Sequence, residues 1–150
     1  MNRSDAALEI AERHENALIV FSNGLTSREA AHSLGLGRFL YLLHAMGEAF
    51  SVATELARLM PDTDVVLVEG DANALMGSAS WCEPPSNFTH YILINGLHET
   101  TGGQELQNPR SVPAWATTVD IGEAQGLTPN PPDPGKIVGA VASWIAQRGS

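Results

Sequence analysis

A three-layer α/β/α fold with a mainly parallel sheet is what this sequence predicts, and three observations carry it. Short, wholly apolar runs recur along the chain, too short for helices and too continuous for strands with one wet face. Segments of helical periodicity separate them. Each run also ends abruptly on small, polar or glycine residues, where a strand would leave the sheet. Parallel strands need crossover connections, so the alternation implies a sheet with helices on both faces.

Ser4 is placed to cap a first helix reaching about His14, with Ala7, Ile10 and Ala11 on one side. Residues 17–21 read as the first buried strand, broken by Ser22-Asn23-Gly24. Ser27-Arg28-Glu29-Ala30 opens a second helix. Residues 39–43 form a second apolar run, interrupted by His44-Ala45-Met46-Gly47. Residues 48–59 are helical by period and stop at Pro61-Asp62. The third strand is expected at 65–68, a short helix at 73–80, and the fourth strand at 91–94. A polar, glycine-containing loop over 96–110 and a weaker apolar patch over 112–119 come next. After the proline-rich turn at 130–135, an amphipathic helix over 137–147 closes the chain.

The 150 residues, 43% of them hydrophobic, suit one domain with a real core. A formal net charge of −9 argues against nucleic acid or an anionic membrane surface as the main partner. No apolar run is long enough to span a bilayer, and the polar N-terminus does not read as a signal peptide. A single cysteine, Cys82, fits a reducing cytoplasm and reads as buried filler rather than a nucleophile. Asn87-Phe88-Thr89 matches a glycosylation acceptor, but without secretion the match carries nothing. His14, His32 and His90 read as surface or packing residues.

In parallel α/β sheets, ligands bind beyond the carboxyl ends of the strands. Three such ends carry unusual chemistry here: Ser22-Asn23-Gly24, Gly70-Asp71-Ala72-Asn73 and Asn95-Gly96-Leu97-His98. Alone, Asp71 would read as a helix cap and Asn95-Gly96 as a turn. If their strands are neighbours, a carboxylate, an amide oxygen and a backbone carbonyl make a hard oxygen set that suits magnesium. Gly70 allows a tight turn, and a helix opening near Asn73 aims free N–H groups at an anion. Together these features describe a site for magnesium plus a diphosphate.

Residues Val68-Glu69-Gly70-Asp71-Ala72 through Asn95 resemble the thiamine-diphosphate motif that begins Gly-Asp-Gly and ends Asn-Asn. The run Ile94-Asn95-Gly96-Leu97-His98-Glu99-Thr100-Thr101-Gly102-Gly103-Gln104 is similar, more narrowly, to that of phosphonopyruvate and sulfopyruvate decarboxylases. Thr26-Ser27-Arg28-Glu29 and Ala45-Met46-Gly47 agree with further segments of that family. The resemblance implies the thiamine-diphosphate-binding, pyrophosphate-domain fold, with thiamine diphosphate and Mg as cofactors. It implies Asp71, Asn95 and the Leu97 carbonyl as metal ligands. Asn73, with backbone amides near Gly70, Ala72, Glu99 and Thr100, would hold phosphate oxygens, and Asn23 and Gly24 would approach the same group. Met46 would be the apolar wedge under the bent cofactor; Ala45 lies beside it, and the His44 carbonyl would meet the aminopyrimidine. His98 is the local candidate for catalytic proton transfer.

The same resemblance implies the beta subunit of a split 2-oxo acid decarboxylase. Its alpha partner would carry the pyrimidine-binding domain in a hetero-oligomer, and exposed apolar surface is expected where the two meet. Sulfonate or phosphonate substrates would call for cations, and Arg28 and Arg110 are the chief candidates. An acyloin-forming carboligase subunit would use the same residues. A non-catalytic scaffold subunit is the third reading, favoured by three departures from the family pattern: Ala72 and His44 where it has glycines, and Ile94 where it has asparagine.

Overall fold

In the computed structural model, which describes residues 1–124, 126 and 128–149, the apolar runs form β1 (Leu18–Phe21), β2 (Phe39–Tyr41), β3 (Val65–Gly70) and β4 (Phe88–Ile94). Between them lie α1 (Arg3–Arg13), α2 (Leu25–Leu34), α3 (Ala49–Leu59) and α4 (Asp71–Met76), the last followed by a 3-10 turn at Ser78–Ser80. After β4 come β5 (Leu97–His98), β6 (Gln104–Glu105), β7 (Thr117–Asp120) and α5 (Pro134–Arg148).

The main sheet has the order β2-β1-β3-β4-β7 with every pairing parallel. Side chains alternate across it as strand geometry requires. Ile19, Phe21, Val66, Val68, Tyr91 and Leu93 face α1 and α2. Leu18, Val20, Val65 and Leu67 face α3, whose Phe50 is buried against them. A smaller group, Ala74 with Ile92 and Ile94, packs α4 onto the same side of β4. Burying an aromatic such as Phe50 is worth about 1.5–3 kcal/mol, so these two faces hold the layers together. The parallel sheet covered on both sides is the predicted fold class.

Several local expectations are corrected. Asn2, not Ser4, caps α1 by accepting from the Asp5 N–H at 2.8 Å. Helix α2 starts at Leu25 instead of Ser27, because Gly24, in the left-handed region at φ +80°, turns the chain directly into it. The expected 73–80 helix splits at Gly77 into α4 and the 3-10 turn. The weak patch after residue 112 contains an edge strand, β7, whose mostly exposed side chains hid it from a hydrophobicity reading. The loop over 96–110 contains the antiparallel ribbon of β5 and β6. Cys82 is exposed rather than buried, and His90, read as a surface or packing residue, is packed inside the protein at 1% exposed. Asn87 spends its amide inside the protein, donating to the carbonyls of Ala57, Met60 and Thr63. Among the described residues no helix is long and apolar enough to cross a membrane.

Candidate functional site

Strands β1, β3 and β4 are adjacent, so their carboxyl ends bring residues 22–24, 70–73 and 95–100 to one edge of the sheet. The contact is direct: Asp71 Oδ2 accepts from the backbone N–H of Asn95 at 3.1 Å and of Gly96 at 2.7 Å. Its other oxygen accepts from the Ala72 N–H at 2.9 Å, and the residue is 2% exposed. That N–H, expected to face a phosphate, is therefore turned back onto Asp71.

A cavity of about 70 Å³ opens beside this acid. Asn23, Gly24 and Leu25 form one wall, Gly70 through Asn73 another, and Asn95, Leu97, Glu99 and Thr100 a third, with Met46 at its margin. Met46 is 44% exposed. His44 lies instead on an adjoining cavity of about 700 Å³, which shares Asn23, Gly24, Leu25, Glu99 and Thr100 with the first. Neither Ala45 nor His98 lines either cavity; the His98 carbonyl accepts from the Thr101 and Gly103 N–H groups. The two glycine-to-side-chain departures have different consequences. Ala72 keeps a negative φ, whereas His44 sits at φ +57°, a strained region for a residue with a Cβ.

Two asparagines on the walls are each oriented by a carboxylate. Asn95 Nδ2 donates to Glu99 Oε2 at 2.8 Å, and Asn73 Nδ2 donates to Glu69 Oε2 at 2.6 Å. A carboxylate oxygen only accepts, so each amide must turn its nitrogen toward the acid and its oxygen away. The Asn95 oxygen accepts from the Leu97 N–H at 3.0 Å and keeps a second lone pair. Glu99 is held in turn by Arg3 Nη2 at 2.7 Å and by the Ala124 N–H. Burial pushes the Glu99 carboxyl up, but the Ala124 N–H, Arg3 and Asn95 outweigh it and leave the group below its ordinary range.

The donor set fits a magnesium diphosphate. Among the described residues no three His, Cys, Asp or Glu side chains cluster as a dense metal site. One carboxylate and one amide oxygen suit magnesium, which takes its remaining ligands from phosphate and water. The walls also carry two carboxylates, Asp71 and Glu99, against one guanidinium, Arg3, so a bare polyanion would be repelled. The first turn of α2, uncapped by any side chain, opens on the same space and favours negative charge. The Asn23 side-chain oxygen is buried there without a hydrogen-bond partner, a demand left for whatever enters.

Sequence reading missed Arg3, Glu69 and the side-chain role of Glu99. Glu69 lies next to the motif, but nothing in its neighbourhood says that it points into the protein. Arg3 reaches the site from the far end of the chain, which no local pattern could show.

No family model matches the chain. Among known proteins it is 39% identical over 118 residues to a phosphonopyruvate decarboxylase of Streptomyces hygroscopicus, covering 74% of this chain and 29% of that protein. A phosphonopyruvate decarboxylase of Streptomyces viridochromogenes is 36% identical over the same length, with 30% of it covered. The sulfopyruvate decarboxylase subunit beta of Methanocaldococcus jannaschii is 29% identical over 114 residues, 73% of this chain and 60% of that subunit. The chain thus spans under a third of the two Streptomyces proteins and about three-fifths of the archaeal subunit.

Proposed function

From the premise that the chain is of a sulfopyruvate/phosphonopyruvate decarboxylase-like family, we propose that it supplies the diphosphate- and magnesium-holding half of a thiamine-diphosphate-dependent 2-oxo acid decarboxylase. The observation that carries this reading is the meeting of Asp71 and the acid-oriented amides of Asn95 and Asn73 around one cavity at the sheet edge.

Asp71, the Asn95 side-chain oxygen and the Leu97 carbonyl would hold the metal. Asn73, with one amide hydrogen uncommitted, and the first turn of α2 would hold phosphate oxygens. Met46 would support the cofactor's apolar middle and the His44 carbonyl its aminopyrimidine. When bound, thiamine diphosphate supplies the electron sink that decarboxylation of a 2-oxo acid needs. The chain's own residues bind it, orient it and exclude water around the diphosphate. A second acid group on the substrate would meet Arg28, on the wall of the larger cavity, because Arg110 is paired with Asp120. A partner subunit carrying the pyrimidine-binding half would complete the site, with His98 at the joint as a proton-transfer group.

The test is calorimetry of thiamine diphosphate, with and without magnesium, on the chain co-expressed with the product of the neighbouring gene. Binding that requires magnesium and disappears in Asp71→Ala supports the reading, and release of carbon dioxide from 2-oxo acids follows as the activity assay. An assembled complex that binds nothing would leave a scaffold subunit of the same fold.

A further inference from the structure

We propose that Glu69 and His90 are positioning residues: a buried relay that sets which way the Asn73 amide faces and so pins Gly47 beside the cavity. The inference rests on the cofactor reading only for what the cavity binds; the relay itself is read from side-chain contacts.

Neither residue lines a cavity: Glu69 stands behind the wall residue Asn73 and His90 behind Glu69, and both are 1% exposed. In the register of β3 and β4, Leu67 pairs with His90 and Glu69 with Ile92, so the acid and the imidazole are diagonal neighbours on the face covered by α3 and α4. His90 Nε2 lies 2.7 Å from Glu69 Oε1. Asn73 Nδ2 donates to Glu69 Oε2 at 2.6 Å, and Asn73 Oδ1 accepts from the Gly47 N–H at 2.9 Å. At the other end, Trp115 Nε1 donates to His90 Nδ1 at 3.3 Å.

Donor and acceptor chemistry leaves one arrangement. An indole N–H only donates, so His90 Nδ1 is the unprotonated nitrogen and the ring proton is on Nε2. That proton goes to Glu69 Oε1, and the second carboxylate oxygen takes the Asn73 NH₂ group. Asn73 must then present its oxygen to Gly47, next to the wedge residue Met46. One amide hydrogen of Asn73 is left over, and Asn73 lines the cavity. The relay therefore links the end of the site that would hold phosphate to the segment that would sit under the middle of a cofactor. A buried acid is costly unless its oxygens are satisfied, and here both are. Apolar residues would fill the same space without orienting Asn73.

Glu69→Gln is the informative variant. A glutamine has one accepting and one donating atom where Asn73 and His90 both donate, so one contact must fail. Adding Trp115→Phe removes the indole donor, keeps a ring stacked on Phe50 and frees His90 to carry its proton on Nδ1. The introduced amide can then donate to His90 Nε2 while still accepting from Asn73. Exchange of the Gly47 backbone N–H, followed by NMR on the whole chain without ligand, should rise about tenfold in Glu69→Gln, as expected for losing one charge-assisted hydrogen bond. The double variant should return most of it. Affinity for inorganic diphosphate with magnesium should follow the same order. In the wild type, ¹⁵N shifts should show His90 protonated on Nε2.

A His90 proton on Nδ1 in the wild type would overturn the relay. So would a folded Glu69→Gln with unchanged Gly47 exchange, or a double variant that restores nothing. If Glu69→Gln does not fold, the wild-type tautomer alone decides. A wild type that has the Nε2 proton and a protected Gly47 but never binds magnesium diphosphate would sink the cofactor reading and leave the relay standing.

Discussion

Arg3 and Glu99, 96 positions apart in the chain, meet in a 2.7 Å ion pair at the edge of the candidate site. Both side chains are largely buried, and a second arm of Arg3 reaches Glu29 at 3.3 Å. The first helix is thereby tied to the loop that carries Asn95 and Thr100. Replacing Arg3 by Met keeps much of the packing and leaves Glu99 short of its cation. The expected cost is about 2–3 kcal/mol, between the ranges for exposed and buried pairs. Thermal unfolding should read this as a melting temperature lower by about 5–10 °C. A shift of under a degree would mean that the pair contributes nothing measurable.

The backbone of Gly47 packs against Gly77 so closely that a Cβ at Gly77 would overlap the Gly47 carbonyl oxygen. Gly47 is itself at φ +79°, and its N–H is the one held by Asn73. The turn carrying Met46 is thus fixed on two sides against α4. Gly77→Ala has to push that turn outward, since the obstructing atoms are backbone. The expected result is a stability loss of about 1–3 kcal/mol with weaker magnesium-diphosphate binding, read by urea unfolding and calorimetry. Gly35→Ala, where nothing lies near the added carbon but φ is +70°, serves as the control that strains the backbone without moving this turn.

How far the sequence could be read follows from the range of the signals. Strands β1 to β4 were visible because each holds a continuous apolar run, and Asp71 and Asn95 stood out because each directly follows the end of a strand. Glu69 gave no such signal: one residue before Gly70 it looked like the end of a strand, and only its pairing with the buried Ile92, diagonal to His90, shows that it points inward. Arg3 and the Gly47–Gly77 contact depend on chain folded back over long distances. The Asn2 cap differs from the expected Ser4 because both residues can cap, and the choice depends on which side chain reaches the Asp5 N–H. β7 was hidden for the opposite reason, as an edge strand needs little apolar sequence.

His14 offers a pH prediction away from the cavity. Its ring nitrogen lies 2.9 Å from the Tyr91 hydroxyl. Burial, then the charge of Arg13, hold its pKa below the ordinary 6.5; Asp64 opposes this and Arg38 adds to it. A folded value below the unfolded one means that the contribution is full above pH 6.5 and is lost as pH falls through the folded value. His14→Gln can keep a hydrogen bond to Tyr91 but cannot take up a proton. Between pH 7 and pH 5 the wild-type melting temperature should therefore fall further than that of the variant. Parallel curves would show that His14 does not titrate differently in the two states.

The pair of Asn95 and Glu99 separates two ideas of what the amide does. If Asn95 were only a metal ligand, Asn95→Asp should improve matters, because a carboxylate binds magnesium more strongly than an amide oxygen. The geometry says otherwise: the substitution removes the donor to Glu99 and sets two carboxylates against each other where a 2.8 Å hydrogen bond had been. Stability without metal should drop by about 2 kcal/mol, the scale of losing a hydrogen bond to a charged group. Glu99→Gln alone should also destabilise, because the charge facing Arg3 is gone. With Asn95→Asp and Glu99→Gln combined, the introduced amide can donate to the introduced carboxylate, so the total loss should be much less than the sum of the two in a double-mutant cycle. Magnesium-diphosphate affinity should recover with stability in the double variant. An Asn95→Asp chain that is as stable as the wild type and binds as tightly would show that Glu99 does not orient the ligand at all.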